Sequence, residues 1–283
     1  MMMSLMSKLL MSTIAITAVL NAGVSEAELT KYFKKFIVKN PAVKVIGTEI
    51  VDKKVMKDEG GWEVYLTNMK LEVQAKDKKD QKEISVPQTV FVKGDLMTPV
   101  LMNLKKNKNY ANEFKPSITK DFYNKEHLLF GNPHAKHKIV VFSDPQCPYC
   151  MEIVPEMMKA AKENPDTFAL YYYHLPLLRI HPVSEILTRV MHVAQHKGKN
   201  DIVHKLYSLK IDAIETNTDK VLAAVKKHSG FVVTKAEIDK KAVRDAIKAD
   251  EDKAIKMMVT GTPTIYFDGE WDKMRNKFKS FMP

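Results

Sequence analysis

Cysteine is scarce in this chain: Cys147 and Cys150 are the only two among 283 residues. Small exported proteins that rely on disulfides carry many more, so a disulfide-rich scaffold is excluded. The two thiols lie three positions apart in the stretch SDPQCPYCMEIVP, residues 143–155. This spacing fits redox chemistry, half of a metal site or a structural cross-link, and the rest of the sequence has to discriminate among the three.

Glycine is also scarce, and the positive charge contains little arginine. With 10 glycines and 45% hydrophobic residues, the composition is that of a globular chain with its own core. The net charge of +11 comes mostly from lysines spread along the sequence. A nucleic-acid-binding surface would concentrate basic and aromatic residues on one face. We therefore expect no nucleic-acid partner and only weak attraction to acidic surfaces.

The apolar run at residues 9–20 is too short to span a membrane, which takes about 20 residues. Lys8 precedes this run, and residues 25–27 place small side chains at the two positions that a signal peptidase reads. No cysteine lies nearby to carry a lipid. Residues 1–27 are therefore predicted to be a secretory signal peptide cleaved after Ala27. Export would place the thiols where disulfides persist.

Residues 28–104 read as a small α+β domain. A short amphipathic helix precedes three strand-like segments, at 43–51, 62–73 and 84–92, which are separated by turn-forming residues. This region has no cysteine or histidine and no clustered carboxylates, so we interpret it as an assembly domain. Residues 105–127 are predicted to be a linker that contains a helix opened by a proline.

Residues 128–283 alternate between strand and helix. A buried strand at 138–143 is followed by a helix from Pro148 to Glu163 and a second strand at 167–175. Several helical segments come next, before a strand at 262–267, an Asp-Gly turn and a final helix. This order predicts an α/β domain with a helical insertion.

The position of Cys147 favours redox chemistry. It follows the buried strand directly, and Pro148 suits the first turn of a helix because its missing N–H would be unpaired there. Free N–H groups and the helix dipole at that point favour a thiolate and lower the thiol pKa from about 8.5 to between about 3.5 and 7.5. Cys150 lies one turn further in and is more shielded. The sequence therefore predicts Cys147 as the nucleophile and Cys150 as the resolving thiol.

The metal and cross-link hypotheses are weaker. Zinc would need two further ligands, and His134 and His137 are the nearest candidates. The strand at 138–143 separates them from the thiols by roughly 20 Å, so we expect two ordinary loop histidines and no metal. A cross-link closing about four residues removes only about 2 kcal/mol of unfolded-state entropy, against nearly 5 for a loop of about a hundred.

A second motif, Thr262-Pro263, strengthens the redox interpretation. Proline is permitted at the start of a strand, and an X-Pro bond there can be cis. That geometry would expose the backbone N–H and carbonyl of Thr262 to an incoming extended peptide. In the predicted topology this loop lies beside the start of the C-x-x-C helix.

Cys147-Pro148-Tyr149-Cys150 at a helix start, a helical insertion and Thr262-Pro263 before a hairpin together resemble the thioredoxin fold. The stretch FSDPQCPYC, the preceding α+β domain and the signal peptide are similar to the DsbC/DsbG family of periplasmic thiol:disulfide isomerases. The Pro-Tyr and Asp-Pro dipeptides look closest to DsbG. The resemblance implies an α+β N-terminal domain, then a thioredoxin-like α/β domain with a helical insertion, and no cofactor.

The resemblance also implies functional roles. Cys147 would attack and Cys150 would resolve, while Pro148-Tyr149 would tune the redox poise. Thr262-Pro263 would dock the substrate. Members of the family are homodimers joined through the N-terminal domain, here residues 28–104. Their implied partners are misfolded or disulfide-containing exported proteins and a membrane thiol reductant.

Alternatives stay open from the sequence. A dithiol oxidase of the same fold would carry electrons in the opposite direction, and a holding chaperone would use its redox activity only secondarily. A cytochrome-maturation thioredoxin would not need the N-terminal domain. Asp144 either assists proton transfer or caps a turn. Tyr171, Tyr172 and Tyr173 alternate across a strand, so at least one is expected in the core.

Overall fold

The structure is a computed structural model that describes residues 23–74 and 81–282. Most of the predicted signal peptide, residues 1–22, lies outside the described residues. The first helix, α1 (Glu26–Tyr32), begins before the predicted cleavage point, and Ser25 forms a capping box with Glu28 at its start. Cleavage after Ala27 would remove this cap, and the cleavage position stays a prediction.

The N-terminal unit is an antiparallel sheet whose strands pair in chain order. They are β1 (Val43–Met56), β2 (Trp62–Gln74), β3 (Gln81–Lys93) and β4 (Leu96–Thr98). The three long strands contain the three predicted segments, whereas the three-residue β4 is too short to show an alternating pattern. Helix α1 and a π-helical turn cover one face of the sheet, burying Leu29 and Phe33 against Val45 and Tyr65.

The prediction of a linker helix within residues 105–127 is wrong. The segment contains β6 (Lys108–Asn109), which pairs with β5 (Met102–Asn103) just before it, and 3-10 turns at Tyr110–Asn112 and Lys120–Phe122. Ser117 N donates to Asp52 Oδ2 and Ile118 N donates to Gly269 O, which fixes this stretch against other parts of the chain. Further along, Phe122 N donates to Thr119 O and Tyr123 N to Lys120 O, which are turn bonds in place of the i to i−4 bonds of an α-helix.

The second unit is built on a five-stranded sheet. Its strands are β7 (Leu128–Gly131), β8 (His137–Ser143), β9 (Phe168–His174), β10 (Thr264–Phe267) and β11 (Glu270–Trp271). They lie in the order β11-β10-β8-β9-β7, with β8 and β9 parallel and the other pairs antiparallel. A crossover helix joins the two parallel strands, as the sequence pattern predicts.

Helix α2 (Pro148–Glu163) is this crossover, and its bounds match the prediction. The helical insertion between β9 and β10 is also confirmed. It consists of α3 (Ser184–His196), α4 (Asn200–Leu206), α5 (Thr218–Ser229), α6 (Lys235–Ile238) and α7 (Lys241–Lys256). In the part of the chain that the structure describes, no helix is long and apolar enough to cross a membrane.

Both faces of the five-stranded sheet are covered. Tyr172 faces the core shared with α2 and the insertion, while Tyr171 and Tyr173 face a second core that includes Ala254 of α7. All three tyrosines are therefore buried. Strands covered on both sides are apolar throughout rather than alternating, which explains the unbroken run of β9.

The predicted C-terminal helix is reduced to a 3-10 turn at Lys277–Phe281. The carboxylate of Asp272 accepts hydrogen bonds from the backbone N–H groups of Arg275 and Lys277. Arg275 has a φ of 61°, in the left-handed region. A residue in that region interrupts a right-handed helix, so the segment turns instead of continuing.

Candidate active site

Cys147 occupies the N-terminal cap of α2, at the end of the loop that leaves β8. Its backbone is extended, and Pro148 takes the first helical position, where a missing N–H costs nothing. Both thiols are free. Cys147 is 6% exposed, whereas Cys150, one turn further along the helix, is fully buried. Both cysteines are thus buried, and Cys147 at the helix end is the more exposed of the two.

Hydrogen bonds at the helix start stabilise the thiolate of Cys147. The thiol of Cys150 contributes most, and the backbone N–H groups of Cys150 and Tyr149 add to it, so that the pKa of Cys147 falls to about 5 although burial opposes the shift. Burial raises the pKa of Cys150 far above that of an ordinary thiol. At neutral pH the pair therefore consists of one thiolate and one thiol.

The loop before β10 brings a second element to Cys147. The Thr262 carbonyl oxygen lies 3.4 Å from Cys147 Sγ, and it accepts a hydrogen bond from this sulfur when Cys147 is a thiol. The Thr262–Pro263 peptide bond is cis. Thr262 is buried, and its Oγ1 has no hydrogen-bond partner among the described residues. The fold thus joins two predicted site segments that are 115 residues apart in sequence.

Tyr149, which lies between the two cysteines in sequence, has an exposed side chain. Its side chain is 62% exposed, and the guanidinium carbon of Arg275 lies 5.9 Å from its ring centroid. A ring in this position is available to a substrate that approaches Cys147. The sequence analysis missed Arg275, which comes from the turn after β11 and belongs to no recognisable motif.

A buried hydroxyl network lies behind Cys150. Tyr207 shares hydrogen bonds with Ser143 Oγ at 2.6 Å and with Tyr172 OH at 2.7 Å. The side chain of Ser143 also hydrogen-bonds to Cys150 and partly offsets the effect of burial on the pKa of Cys150. Sequence reasoning missed this network, because Tyr207 follows α4 and only the folded chain brings it to the end of β8.

Asp144 is fully buried, and the fold supports its turn-forming role. Its Oδ1 accepts hydrogen bonds from Gln146 N and Ser184 Oγ, both at 2.7 Å. Its Oδ2 accepts from Leu177 N at 2.7 Å and lies 3.1 Å from His181 Nδ1. A carboxylate held by so many partners fastens the loop before Cys147 to the start of α3, which leaves the proton-transfer alternative without support.

The two histidines weighed as zinc ligands lie at the other end of β8 from the thiols. His134 is exposed in the loop before the strand. His137 begins the strand, and its Nδ1 lies 2.8 Å from Asp268 Oδ2. Within residues 23–74 and 81–282, no three histidine, cysteine, aspartate or glutamate side chains are grouped so as to hold a metal ion.

Comparison with known families agrees with this topology. The sequence profile described as thioredoxin matches residues 123–281, which is more than half of the chain. The chain belongs to the thioredoxin family. The match contains the dithiol, the helical insertion and the Thr262-Pro263 loop, and it confirms the predicted fold class. No curated protein matches the chain.

Several solved structures are similar to this thioredoxin-family chain. A thioredoxin-like oxidoreductase from Silicibacter pomeroyi is 22% identical, covering 54% of this chain and 88% of its own, with a TM-score of 0.46. A periplasmic thioredoxin-like protein from Salmonella enterica serovar Typhimurium is 18% identical, covering 58% and 95%, with a TM-score of 0.47. BdbD from Bacillus subtilis is 17% identical, covering 58% and 91%, with a TM-score of 0.46.

Because these TM-scores are below 0.5, the family assignment rests on the profile match alone. Family membership and a dithiol at a helix start together indicate, in general terms, a thiol–disulfide oxidoreductase. Membership of the DsbC/DsbG branch stays a prediction.

Proposed function

We propose that the chain is an exported thiol–disulfide oxidoreductase of the DsbC/DsbG type, which isomerises or reduces disulfides in other exported proteins. The observation that carries this proposal is the contrast between the two thiols. Cys147 is partly exposed, at 6%, and has a pKa of about 5, whereas Cys150 is fully buried and has a raised pKa. One sulfur is therefore ready to attack a client, while the other is held back as a thiol.

The first step is attack by the Cys147 thiolate on one sulfur of a client disulfide. A new S–S bond forms, the client S–S bond breaks, and the second client sulfur leaves as a thiolate. In isomerisation another client thiolate attacks the mixed disulfide and releases Cys147, so the protein gains and loses no electrons. Cys150 takes no part in that route.

In reduction, Cys150 loses its proton and attacks the sulfur of Cys147. The client leaves as a thiolate and has gained two electrons, while Cys147 and Cys150 are left as a disulfide. A dithiol reductant must then return two electrons to the pair, and we propose a membrane thiol reductant as that partner.

The Thr262-Pro263 loop is proposed to hold the client backbone. A client residue that bonds to the backbone of Thr262 brings its own sulfur close to Cys147, because the Thr262 oxygen lies 3.4 Å from Sγ. Pro148 supplies no N–H at the helix start, and Tyr149 is exposed beside the thiolate. These two residues are proposed to tune the redox poise, since each helps to set how many donors and how much water reach the sulfur.

A dithiol oxidase is the second candidate, and the lowered pKa of Cys147 favours it. With a pKa of about 5, the thiolate of Cys147 is about 2.7 kcal/mol more stable than its thiol at pH 7. This free energy corresponds to a change of about 60 mV in the reduction potential of the pair. This stabilisation applies only to the dithiol form, so the disulfide becomes more oxidising. Trapping the thiols in cells discriminates between the candidates: a mostly reduced pair indicates an isomerase and a mostly oxidised pair an oxidase.

We also propose a homodimer that forms through residues 28–104. Apolar side chains are exposed on and after β4, including Leu96 and Leu104. Light scattering should give twice the chain mass, and Leu104→Glu should shift the protein towards monomer. Ile214→Glu changes another exposed apolar residue, in the helical insertion, and should leave the mass unchanged. A monomeric parent protein would refute the dimer.

The equilibrium potential of the Cys147–Cys150 couple in a glutathione buffer tests the proposed activity. We expect a value between about −120 and −200 mV, the range of protein-disulfide catalysts. A value below about −300 mV would identify a structural disulfide and leave the holding chaperone as the better hypothesis. Cys147→Ser should abolish refolding of a scrambled disulfide protein, and full activity of that variant would exclude the mechanism.

A further inference from the structure

A cleft of about 450 Å³ lies between the two units, beside the reactive sulfur. Residues 87–89 of β3 form part of one wall, and residues 260–264 form part of the other. Since the Thr262 oxygen lies 3.4 Å from Cys147 Sγ, the second wall is in contact with the reactive sulfur. The N-terminal sheet therefore lies beside the space that the client chain would occupy on one side of its reacting cysteine.

The charged side chains that line this cleft are all positive. Lys115 and Arg275 line it, and among the described residues no aspartate or glutamate does. Lys115 is half-buried, and its Nζ donates to the Met258 carbonyl oxygen at 2.6 Å and lies 5.1 Å from the Trp271 ring centroid. Burial lowers the pKa of Lys115 to about 8. A desolvated ammonium whose hydrogen-bond acceptor is a neutral carbonyl would be stabilised by an incoming carboxylate.

The carboxylates closest in sequence to these two cations are already engaged. Glu113 forms ion pairs with Lys108 and Lys273. Asp272 accepts the backbone N–H groups of Arg275 and of Lys277. Among the ion pairs of the described residues, none includes Lys115 or Arg275. The positive charge of the cleft is thus left for a ligand.

We propose that this cleft binds the client segment adjacent to the reacting cysteine and selects segments that carry an acidic side chain there. The inference rests on the proposed function. An extended segment bonded to Thr262 enters the cleft, and its carboxylate meets Arg275 beside Tyr149 or Lys115 beneath the N-terminal sheet. The N-terminal unit then contributes to client selection as well as to assembly.

Three peptides test this selectivity with the full protein in its dithiol form. Each carries one cysteine in a mixed disulfide with thionitrobenzoate, and the residues two positions to either side are both Asp, both Asn or both Lys. Attack by Cys147 on the peptide sulfur releases coloured thionitrobenzoate. We expect the second-order rate constant to be about 10-fold higher for the Asp peptide than for the Lys peptide, with Asn between them.

Variants separate the cleft from the general positive charge of the protein. Arg275→Gln and Lys115→Met should each reduce the Asp-to-Lys rate ratio at least about twofold. Lys277→Gln removes a nearby cation that does not line the cleft and should keep the ratio of the parent protein. If Lys115→Met fails to fold, Arg275→Gln and the pH dependence of the parent remain: the preference for Asp should weaken above about pH 8 as Lys115 loses its proton.

The outcomes distinguish the two proposals. Equal rates for all three peptides, with rapid release of thionitrobenzoate, would overturn the acidic selectivity and leave the oxidoreductase standing. The same rate ratio in Arg275→Gln, Lys115→Met and Lys277→Gln would assign the preference to net charge and also overturn it. No release from any peptide would instead refute the proposed function.

Discussion

The reactivity of Cys147 depends on a few hydrogen-bond donors around its sulfur. The thiol of Cys150 is the largest contributor to the low pKa of Cys147, followed by Thr262 and then by the N–H groups of the first helical turn. The two sulfurs are therefore interdependent: the buried thiol holds its proton partly because the neighbouring sulfur is a thiolate. Removing either sulfur should change the titration of the other.

Cys150→Ala should raise the pKa of Cys147 from about 5 towards the value for a thiol at a helix end that lacks this donor. The rate of Cys147 alkylation by iodoacetamide, followed against pH, reports the thiolate fraction. In the parent protein this rate should stay level from pH 8 to about pH 6 and halve near pH 5. Lys159→Ala, at an exposed position on the same helix, should reproduce the parent profile. An unchanged profile in Cys150→Ala would show that the backbone N–H groups alone stabilise the thiolate.

Tyr207→Phe should destabilise the protein by about 1–3 kcal/mol, because it leaves the hydroxyl groups of Ser143 and Tyr172 without their buried partner. Urea unfolding of the dithiol form measures the change. Tyr149→Phe removes the hydroxyl of an exposed tyrosine and should stay within about 0.5 kcal/mol of the parent protein. Equal stabilities for the two variants would contradict the network.

At the scale of elements, α3 packs against the end of β9 through histidines. His192 and His196 lie one turn apart on α3, with ring centroids 4.0 Å apart, and His174 of β9 lies 6.2 Å from His192. His127 lines the same small cavity and bonds to Asp250 through Nε2 at 2.7 Å. Burial, followed by the neighbouring histidines, lowers the pKa values of His174 and His192.

This packing should make stability depend on pH. Burial and His196 lower the pKa of His192 to about 4 in the folded protein, whereas an unfolded histidine titrates near about 6.5. As pH falls, the unfolded chain binds the proton first, so stability is lost from about pH 6.5 down to about pH 4. The contribution of His192 at pH 5 is about 2 kcal/mol at most.

His192→Gln should therefore lose less stability than the parent protein between pH 7.5 and pH 5. Urea unfolding at the two pH values measures the difference, and the comparison is made within each protein. His134→Gln, which alters an exposed loop histidine, should retain the parent's pH dependence. If His192→Gln also retained it, another group would have to account for any acid sensitivity.

At the scale of the whole molecule, Met258 links the two units. It follows α7 and is buried in a cluster with residues of the N-terminal sheet, including Phe91, and with Tyr110 of the connecting segment. Its φ of 54° places a non-glycine residue in the left-handed region. Such a conformation costs about 1–3 kcal/mol and persists where the surrounding packing requires it.

Met258→Asp should separate the units, because it would bury an unpaired carboxylate in this apolar cluster. Calorimetry should show one main unfolding transition for the parent protein and two for the variant, with the N-terminal unit unfolding first. Met274→Asp introduces the same charge at an exposed position and should leave a single transition. A single, unshifted transition in Met258→Asp would mean that the units are not coupled through this residue.

The prediction succeeded where structure depends on neighbours in sequence. The bounds of α2 follow from Pro148 at the first helical position and from the apolar spacing of the helix. The order of strands and helices follows from periodicity, and the thiol at the helix start follows from both. The prediction failed at residues 105–127, where the N–H groups of Ser117 and Ile118 bond to distant residues. It failed also at the C-terminus, where Asp272 accepts nearby N–H groups and Arg275 has a left-handed φ.

By itself, then, the sequence determined the family, the dithiol and the helix end that activates it, because capping and periodicity act over a few residues. The Thr262-Pro263 motif also predicted which loop lies beside the helix start, and the structure adds the distance of 3.4 Å. Only the tertiary structure decided what else surrounds the dithiol: Tyr207 reaches Ser143 across 64 residues. The cationic cleft needs walls from both units. Contacts of this kind are fixed by how strands and helices pack together, and no local pattern in the chain encodes them.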